Sequence, residues 1–286
     1  MTTGTDSGHA ETLLAPAKLT RSLRIVGVRR DGFHLLEAEM VTVSLFDRLE
    51  ISCGDRLHVA DEVEWTLALP AGASGVARAV GEDAPAPPPV RPGPNLVVRA
   101  LAAASRRARV SLTKCIPAGA GLGGGSADAA AVLRWAGVSD LERASELGAD
   151  VPFCLVGGRA RVSGIGQSVQ PLPFESRHLV LVVPRIHVST PAVYAAWDDL
   201  GAPSGEHGND LEPAALVVEP RLRFWRDLVT EVSGERPLLA GSGGTWWLDV
   251  VGGQAMALHL ENELREAVAA AGQSGLVKSV ETVPQP

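Results

Sequence analysis

Pro117-Ala-Gly-Ala-Gly-Leu-Gly-Gly-Gly-Ser-Ala127 is the strongest local indication of how this chain folds. Five glycines fall within the seven residues from Gly119 to Gly125. Glycine lets the backbone turn tightly and bring its N–H groups to a ligand without interference from a Cβ atom. Alternating residues before this glycine-rich segment predict a strand, and alanine-rich residues after it predict a helix. Because helix N-termini attract anions, we predict that the segment binds phosphate.

The glycine-rich segment differs from two common nucleotide-binding motifs. No Gly-Lys-Ser/Thr ends it, so it is not a Walker A loop. Its glycines are denser than a Rossmann fingerprint, and no acidic residue follows at a matching strand end. A flexible glycine linker is the alternative, but linkers rarely run straight from a strand into a helix. Ser126 is placed either to cap the predicted helix or to touch a phosphate or its metal ion.

The rest of the sequence predicts an α+β fold, because strands are followed by helices in both halves. Strands are predicted at 23–26, 39–45, 48–52, 108–114, 159–169, 178–183 and 276–283. Helices are predicted at 95–108 with Asn95 as N-cap, 126–135, 192–200, 221–232 and 261–271, with 253–260 strand-like or irregular. Residues 1–11 are predicted to be a disordered tail and 72–94 an extended surface loop.

Composition narrows the class of protein. The 286 residues carry a net charge of -7, and aromatic residues make up only 4%, so we expect no nucleic-acid partner. Cys53, Cys115 and Cys154 lie in no disulfide or zinc spacing, which fits a reducing, cytoplasmic location. No secretion signal or apolar run long enough to span a membrane is visible. The sequence leaves a monomer and a homodimer equally open.

Six further segments occur in an order that, together with the glycine-rich segment, resembles the GHMP kinases, named for galactokinase, homoserine, mevalonate and phosphomevalonate kinases. They are Ala15-Pro16-Ala17-Lys18-Leu19, Arg30-Asp31-Gly32-Phe33-His34, Asn95-Leu96-Val97-Val98-Arg99-Ala100, Leu147-Gly-Ala-Asp-Val-Pro152, Asn209-Asp210-Leu211-Glu212 and Gly241-Ser242-Gly243-Gly244-Thr245. Each is weak alone, whereas their order and spacing together are specific.

The resemblance implies a two-domain α+β architecture. Residues 12–175 would form an ATP-binding domain like ribosomal protein S5 domain 2, and residues 176–286 a ferredoxin-like domain whose last strand either stays there or returns to the first. The segments are most similar to the GHMP kinases of the non-mevalonate isoprenoid pathway. That similarity implies transfer of the γ-phosphoryl group of ATP to the 2-hydroxyl of 4-diphosphocytidyl-2-C-methyl-D-erythritol, a cytidine diphosphate-linked alcohol.

The same resemblance implies two catalytic residues. Asp150 would orient the attacking hydroxyl and accept its proton, and Lys18 beside it would neutralise charge on the transferred phosphoryl group. From the sequence, Asp150 is expected near a helix C-terminus, where the helix dipole disfavours negative charge. A carboxylate at such a position therefore suggests a functional reason for its presence.

The remaining site residues are implied in two groups. For ATP they are Pro117, Gly119, Gly121, Leu122, Gly123, Gly124, Gly125, Ser126, Ala127, Asn95 and Lys114. For the alcohol substrate they are Thr20, Phe33, His34, Tyr194, Gly241, Ser242 and Gly243. Phe33, His34 and Tyr194 would bind the cytosine by stacking and hydrogen bonds. Mg²⁺ is expected to accompany ATP, although no spacing of acidic residues indicates a metal cage.

Several positions depart from the family's motifs. Thr20 and Arg21 replace an asparagine and an apolar residue, and Phe33 replaces a tyrosine. Gln167 replaces a glutamate and Ala240 a serine. Thr20 lacks the amide donors that would help to hold the substrate. Two alternatives therefore stay open: a GHMP kinase that acts on a different alcohol, and a nucleotide-binding protein that has lost catalysis.

Overall fold

The computed structural model describes residues 10–62 and 95–285. The predicted surface loop at 72–94 and most of the predicted N-terminal tail lie outside the described residues. The first strand begins at Glu11, so the last residue of the predicted tail belongs to a strand.

Ten strands and eight helices make up the described part of the chain. The strands are β1 (Glu11–Val28), β2 (His34–Ser52), β3 (Leu57–Asp61), β4 (Arg109–Lys114), β5 (Arg159–Gly164), β6 (Ser168–Pro171), β7 (His178–Pro184), β8 (Leu238–Leu239), β9 (Trp246–Asp249) and β10 (Gly275–Glu281). The helices are α1 (Leu96–Ala103), α2 (Gly124–Trp135), α3 (Leu141–Leu147), α4 (Val151–Val156), α5 (Thr190–Asp199), α6 (Glu212–Val218), α7 (Leu222–Ser233) and α8 (Gly253–Ala270). The predicted α+β fold is confirmed.

The first sheet is organised by its longest strand, β2. One edge of β2 pairs with β1 along its whole length in an antiparallel hairpin. The other edge is long enough for two partners, β5 at residues 36–41 and β4 at residues 48–52. β3 adds to β4 in parallel, and β6 adds to β5. Helices α1 to α4 pack with one another, and α2 lies against β1 and β2.

The prediction of separate strands at 39–45 and 48–52 is wrong, because β2 runs without a break through Phe46 and Asp47. Asp47 resembles a turn residue in the sequence, but its side chain is fully buried in the strand. One carboxylate oxygen accepts the N–H groups of Cys115 at 2.6 Å and Ile116 at 2.8 Å. Those tertiary hydrogen bonds compensate the burial of the carboxylate and remove the need for a turn.

The second sheet is antiparallel, with the strand order β10-β7-β9-β8. The long helix α8 packs on β7 and β10 and contacts α7. Its first half was expected to be strand-like or irregular, and that expectation is wrong. Its buried residues Ala257, Glu261, Leu264 and Val268 recur every three or four positions, which is the helical period.

The described residues form two apolar cores, one on the helix side of the sheets and one between the two sheets. Neighbouring residues of β2 face opposite ways, so Met40 packs in the core on the helix side while Val41 and Val43 face the second sheet. The inter-sheet core comprises Ala17, Leu19, Val41, Val43, Leu45, Ile116, Ala120, Leu122, Leu179, Leu181, Val183, Ala240, Trp247, Leu276 and Val280. Two members, Ala120 and Leu122, belong to the glycine-rich segment, so the same core supports that segment from below.

The strands of the first sheet end by Pro171, and those of the second begin at His178. The predicted domain boundary at 175/176 lies between them and stays a prediction. Beyond β10, Thr282 bridges back to Val43 of the first sheet. Among the helices of the described residues, none combines the length and apolar character needed to cross a membrane.

Candidate active site

The glycine-rich segment forms a nest of backbone N–H groups. Gly119, Gly121 and Gly123 have φ angles of 73°, 81° and 68°, whereas Ala120 and Leu122 between them keep negative φ. Such alternation of left- and right-handed residues turns successive N–H groups into one concavity, which binds anions. The segment therefore has the backbone geometry of a phosphate site before any side chain is considered.

Helix α2 begins two residues earlier than the sequence predicted. Gly123 is its N-cap, and Gly124 is its first residue. Ser126 consequently lies inside the first turn, and no side chain caps this helix. Of the two roles foreseen for Ser126, capping is excluded, and contact with a phosphate or its metal ion stays a prediction.

Lys18 is held directly against the glycine-rich segment. Its backbone N–H donates to the carbonyl of Leu122 at 2.9 Å, so β1 and the segment are joined through their backbones. A Cβ atom on Gly123 would stand 2.7 Å from Cγ of Lys18. The absence of a side chain at Gly123 is what lets the lysine stem pass.

The structure brings Lys18 and Asp150 together, as the sequence predicted. Nζ of Lys18 lies 3.2 Å from Oδ2 of Asp150 and donates to Oγ1 of Thr20 at 3.3 Å. Lys18 is only 6% exposed, whereas the Asp150 side chain keeps 32% of its surface open. The buried ammonium thus holds a carboxylate that a ligand can still reach.

The predicted position of Asp150 at a helix C-terminus is wrong. Asp150 is the N-cap residue of α4, although its side chain makes no capping hydrogen bond. The preceding helix α3 has already ended, with its C-cap at Gly148. Negative charge is favoured at a helix N-terminus, so the dipole of α4 supports this carboxylate and does not oppose it.

Cys154 lies one turn into α4, but it does not supply a nucleophile. Its thiol is buried, and burial together with the charge of Asp150 raises the pKa of Cys154 far above its ordinary value. A thiol that stays protonated is a poor nucleophile. Asp150 and the cation beside it thus stay the predicted reactive groups of the site.

The second glycine cluster, Gly241–Thr245, packs on the glycine-rich segment. A Cβ atom on Gly243 would lie 2.5 Å from Cα of Gly121, so the two backbones are in direct contact. The hydroxyl of Thr245, which is fully buried, donates to the carbonyl of Ala120 at 2.7 Å. A Cβ atom on Gly241 would lie 3.6 Å from Oγ1 of Thr20. The two glycine segments and β1 thus form one unit.

Asn209 positions the second glycine cluster, a role that sequence reasoning missed. Its buried amide donates to the carbonyls of Leu239 at 3.0 Å and Gly241 at 2.7 Å, and its oxygen accepts from the N–H of Leu211. Asp210 beside it accepts from Arg24 and from the N–H of Ile25 on β1. The resemblance of Asn209–Glu212 to a family segment was the only indication in the sequence. It did not show which groups Asn209 would contact.

Two predicted residues of the alcohol site, His34 and Tyr194, lie next to one another. The imidazole of His34 lies 4.8 Å from the ring of Tyr194 and 5.5 Å from that of Trp197, measured between centroids. Its Nε2 is hydrogen-bonded to Oδ1 of Asp198 at 2.9 Å. Sequence reasoning missed Trp197 and Asp198, although they follow Tyr194 by three and four positions on α5 and so share its helix face.

Tyr194 also connects this aromatic group to the ion pair of Lys18 and Asp150. Burial, followed by the negative charge of Asp150, raises the pKa of Tyr194 to about 12. The phenol is therefore neutral at physiological pH, and the carboxylate is near enough to affect its ionisation. His34, Tyr194 and Asp150 thus line one continuous region.

Phe33 and Ser242, also predicted for the alcohol site, each contact a residue that was not predicted there. The ring of Phe33 is 57% exposed, and the guanidinium of Arg29 lies 5.8 Å from its centroid. Within the described residues its ring has no contact with His34 or Tyr194, so its role in binding cytosine stays a prediction. The hydroxyl of Ser242 is 2.9 Å from that of Thr190 at the start of α5, which joins the second glycine cluster to that helix.

Lys114 forms a buried charge cluster below the start of α2. Its Nζ pairs with Asp47, and it donates to Asp128 at 2.7 Å. Burial lowers the pKa of Lys114, but the two carboxylates outweigh burial, so the pKa lies above its ordinary value. Burial and the charge of Asp47 raise the pKa of Asp128 to about 7, despite Lys114. Neither carboxylate was foreseen from the sequence.

Lys114 and Leu96, the residue after Asn95, both border the first turn of α2. A Cβ atom on Gly124 would lie 3.1 Å from Nζ of Lys114, and one on Gly125 would lie 3.4 Å from Leu96. Asn95 caps α1 as predicted, accepting the N–H of Val97 at 2.9 Å. The contacts of Lys114 and Asn95 with adenine stay predictions, because the hydrogen bonds observed for both side chains have structural roles.

The described residues contain no group of three or more His, Cys, Asp or Glu side chains that could hold a metal ion. Mg²⁺ commonly binds through one or two carboxylates together with substrate phosphates. The half-exposed carboxylate of Asp150 and the hydroxyl of Ser126 fit that mode. The donor set thus suits a metal ion carried by a nucleotide.

The site contains three kinds of group. They are the concave row of amides in the glycine-rich segment, the carboxylate of Asp150 paired with the buried ammonium of Lys18, and the aromatic region of His34 and Tyr194. An anion in the nest and a hydroxyl at Asp150 would lie on the two sides of Lys18. This is the arrangement that phosphoryl transfer to an alcohol requires, because positioning and electrostatic stabilisation supply most of that catalysis.

Comparison with known proteins agrees with this geometry. Residues 95–158 match the model of the GHMP kinases N terminal domain. A 4-diphosphocytidyl-2-C-methyl-D-erythritol kinase from Ruegeria pomeroyi is 34% identical over 258 residues, covering 81% of this chain and 84% of its own length. The enzyme of the same name from Pelotomaculum thermopropionicum is 36% identical over 270 residues, covering 82% and 87%.

Solved structures show the same fold. A crystal structure of 4-(cytidine 5'-diphospho)-2C-methyl-D-erythritol kinase superposes with a TM-score of 0.70 at 29% identity, covering 95% of this chain and 99% of the other. A mevalonate kinase, at 11% identity and a TM-score of 0.56, shares the fold alone, over 96% of this chain and 99% of its own. The predicted GHMP kinase architecture is confirmed, and the chain belongs to the 4-diphosphocytidyl-2-C-methyl-D-erythritol kinase family of GHMP kinases.

Proposed function

We propose that this protein transfers the γ-phosphoryl group of ATP to the 2-hydroxyl of 4-diphosphocytidyl-2-C-methyl-D-erythritol, a step in isoprenoid precursor synthesis. The observation that carries the proposal is the pair of Lys18 and Asp150, 3.2 Å apart beside the nest of backbone amides. Similarity to kinases named for this substrate, over more than four fifths of the chain, supports the choice of alcohol.

Each part of the site has its own role in the proposed phosphoryl transfer. The amides of Gly119–Gly125 bind the triphosphate. Asp150 orients the hydroxyl and accepts its proton as the new P–O bond forms and the bond between the γ-phosphorus and the bridging oxygen breaks, which releases ADP. Lys18 pairs with the carboxylate of Asp150 and offsets the charge that develops on the transferred group. Mg²⁺ bound to the nucleotide would neutralise phosphate charge.

The cytidine end of the substrate is assigned to the aromatic region. His34 and Tyr194 stand next to one another, and Asp198 fixes the ring nitrogen Nε2 of His34. That hydrogen bond leaves the other ring nitrogen to face a ligand. An aromatic face and one fixed nitrogen match the stacking surface and edge of a pyrimidine base.

The alternative substrate, a different alcohol, is favoured by one observation. Thr20 occupies the position of the family's usual asparagine and directs its hydroxyl to Lys18 and not to open space. The side chain is only 2% exposed, so it presents little surface to a ligand. The substrate would then be selected by the aromatic region and the glycine segments alone.

An assay of ADP release tests the proposal. The purified protein is incubated with ATP, Mg²⁺ and one alcohol at a time: the diphosphocytidyl substrate, mevalonate, homoserine or galactose. Release with the first alone supports the proposal. Release with another alcohol would identify a different GHMP kinase, and binding of ATP without release would identify a protein that has lost catalysis.

The setting of the reaction is also part of the proposal. We expect the enzyme to act in the cytoplasm, as a monomer or homodimer, without nucleic acid. The net charge of -7 disfavours a polyanionic partner, and among the described residues Cys53, Cys115 and Cys154 form no disulfide. Light scattering of the purified protein at micromolar concentration distinguishes the two oligomeric states.

A further inference from the structure

The loop between β7 and α5, residues 185–189, contacts both glycine segments. Val188 is 3% exposed, and its Cγ2 would be 3.4 Å from a Cβ atom on Gly244. Ser189 is the N-cap of α5 and accepts the N–H of Ala192 at 3.4 Å. Both residues that follow His187 are therefore anchored, one in the core and one at a helix end.

His187 extends from this loop onto the glycine-rich segment. A Cβ atom on Gly119 would stand 2.6 Å from Nδ1 of the imidazole and 3.2 Å from Cε1, so the edge of the ring lies on the backbone of Gly119. Both residues are exposed to solvent. Within the part of the chain that the structure describes, no hydrogen bond or ion pair engages this imidazole, and its nitrogens remain available to a ligand.

The charges around the glycine-rich segment favour such a donor. The two lysines that contact it, Lys18 and Lys114, are already paired with carboxylates, the first with one and the second with two. A diphosphate brings at least two negative charges, and these pairs supply no net positive charge to meet them. Neutral amides of the nest can bind the anion, but an additional polar donor at its edge strengthens the contact.

We propose that His187 is a phosphate-binding residue of this site, whose imidazole donates a hydrogen bond to a phosphoryl oxygen of a diphosphate bound over Gly119. The diphosphate belongs either to ATP or to the cytidine-linked alcohol, since both carry the same group. The proposal rests on the function proposed above, and it assigns a residue of the second sheet's loop to phosphate binding.

Calorimetric titration with four probes tests the proposal: ADP, CDP, AMP and CMP. His187→Ala is expected to weaken binding of one diphosphate by about 10-fold, the scale of a hydrogen bond to a charged group. Weaker ADP binding assigns the contact to the nucleotide, and weaker CDP binding assigns it to the alcohol substrate. AMP and CMP lack the β-phosphate of the diphosphates. The variant should therefore lose much less affinity for them than for ADP or CDP.

Two further variants control the experiment. His187→Gln keeps a donor of similar reach and should recover part of the lost affinity, which a purely structural loss would not. His259→Ala removes an exposed histidine on α8 that is paired with Glu263, and should leave all four titrations unchanged.

The titrations distinguish failure of the proposed role of His187 from failure of the proposed function. If the wild type binds ADP or CDP and His187→Ala binds both with unchanged affinity, the role of His187 is wrong while the proposed function stands. If the wild type binds neither diphosphate, both are wrong.

Discussion

The backbones of Gly121 and Gly243 are in contact across the two glycine segments, 2.5 Å separating Cα of the first from the position of a Cβ atom on the second. The same Cβ atom would also lie 2.7 Å from the carbonyl oxygen of Ala120. All of these neighbours are backbone atoms, which cannot rotate away as a side chain can. The packing of the site therefore depends on glycine at both positions.

We expect Gly243→Ala to destabilise the protein and to impair the binding of ATP. Forcing a methyl group between two packed backbones typically costs about 1–3 kcal/mol in the free energy of unfolding. Urea unfolding measures the first effect, and titration with ADP measures the second. Gly244→Ala is the matched control, because its Cβ atom would make only an ordinary contact of 3.4 Å with Val188. Equal behaviour of the two variants would refute the packing relationship.

The role of Asp150 can be tested by changing its charge alone. Asp150→Asn should lower kcat at least ~100-fold, the scale of a lost general base, while the affinity for ADP stays nearly constant. Asp199→Asn, at the exposed end of α5, serves as the control. The double variant Asp150→Asn/Lys18→Met should lose less kcat than the product of the two single losses, because each substitution disrupts the same ion pair. Near-normal turnover of Asp150→Asn would remove it from catalysis.

Asp198 is expected to act through His34. Asp198→Asn should raise KM for the cytidine-linked substrate by about 3- to 10-fold, the value of one hydrogen bond, because the imidazole loses its orienting carboxylate. KM for ATP should stay the same, and His34→Ala should have the larger effect on the alcohol substrate. Steady-state kinetics with each substrate varied in turn provides the measurement. A rise in KM for ATP alone would contradict the assignment of this region to cytidine.

The buried cluster of Asp47, Lys114 and Asp128 should make stability depend on pH. The pKa of Asp128 is about 7 in the folded protein, above its ordinary value of 3.8, so the folded state binds more protons than the unfolded state between these values. This contribution to stability is fully present below pH 3.8 and is lost as the pH rises through 7.

Asp128→Asn should remove that dependence, since the amide does not titrate. Between pH 5 and pH 8 the wild type should lose at least about 1 kcal/mol relative to the variant. Urea unfolding at several pH values gives the comparison, with Asp199→Asn again as control. Parallel curves for wild type and Asp128→Asn would show that Asp128 does not hold its proton. One oxygen of Asp128 is buried without a hydrogen-bond partner, so the amide also fits its surroundings.

Local patterns in the sequence predicted much of the fold and the centre of the site. The glycine-rich segment was assigned correctly as the link between a strand and a helix, because glycine spacing and the alanine-rich helix are local properties. Lys18 and Asp150 were placed together by resemblance to a family, since 132 residues of sequence separate them. Composition or spacing alone would not have paired them.

The errors share a physical cause. Asp47 looked like a turn residue because its hydrogen bonds come from residues 68 and 69 positions away. Helix α8 starts at Gly253, after the N-cap Gly252, and glycine has a low helix propensity. The sequence therefore gave no indication that the first half of α8 is helical and packs on the second sheet. The direction of the dipole at Asp150 depended on where a helix of six residues begins, and boundaries are the least certain part of any sequence pattern.

The inter-sheet core limits how this enzyme can take up its substrates. A hinge that swung the two sheets apart would pull Val41 and Val43 away from Trp247 and expose apolar surface that is now hidden from water. Closely packed interiors resist such gradual opening. We therefore expect entry and release to use short-range movements at the rim, such as rotation of His187 or Tyr194, while the packed residues below the glycine segments stay in place.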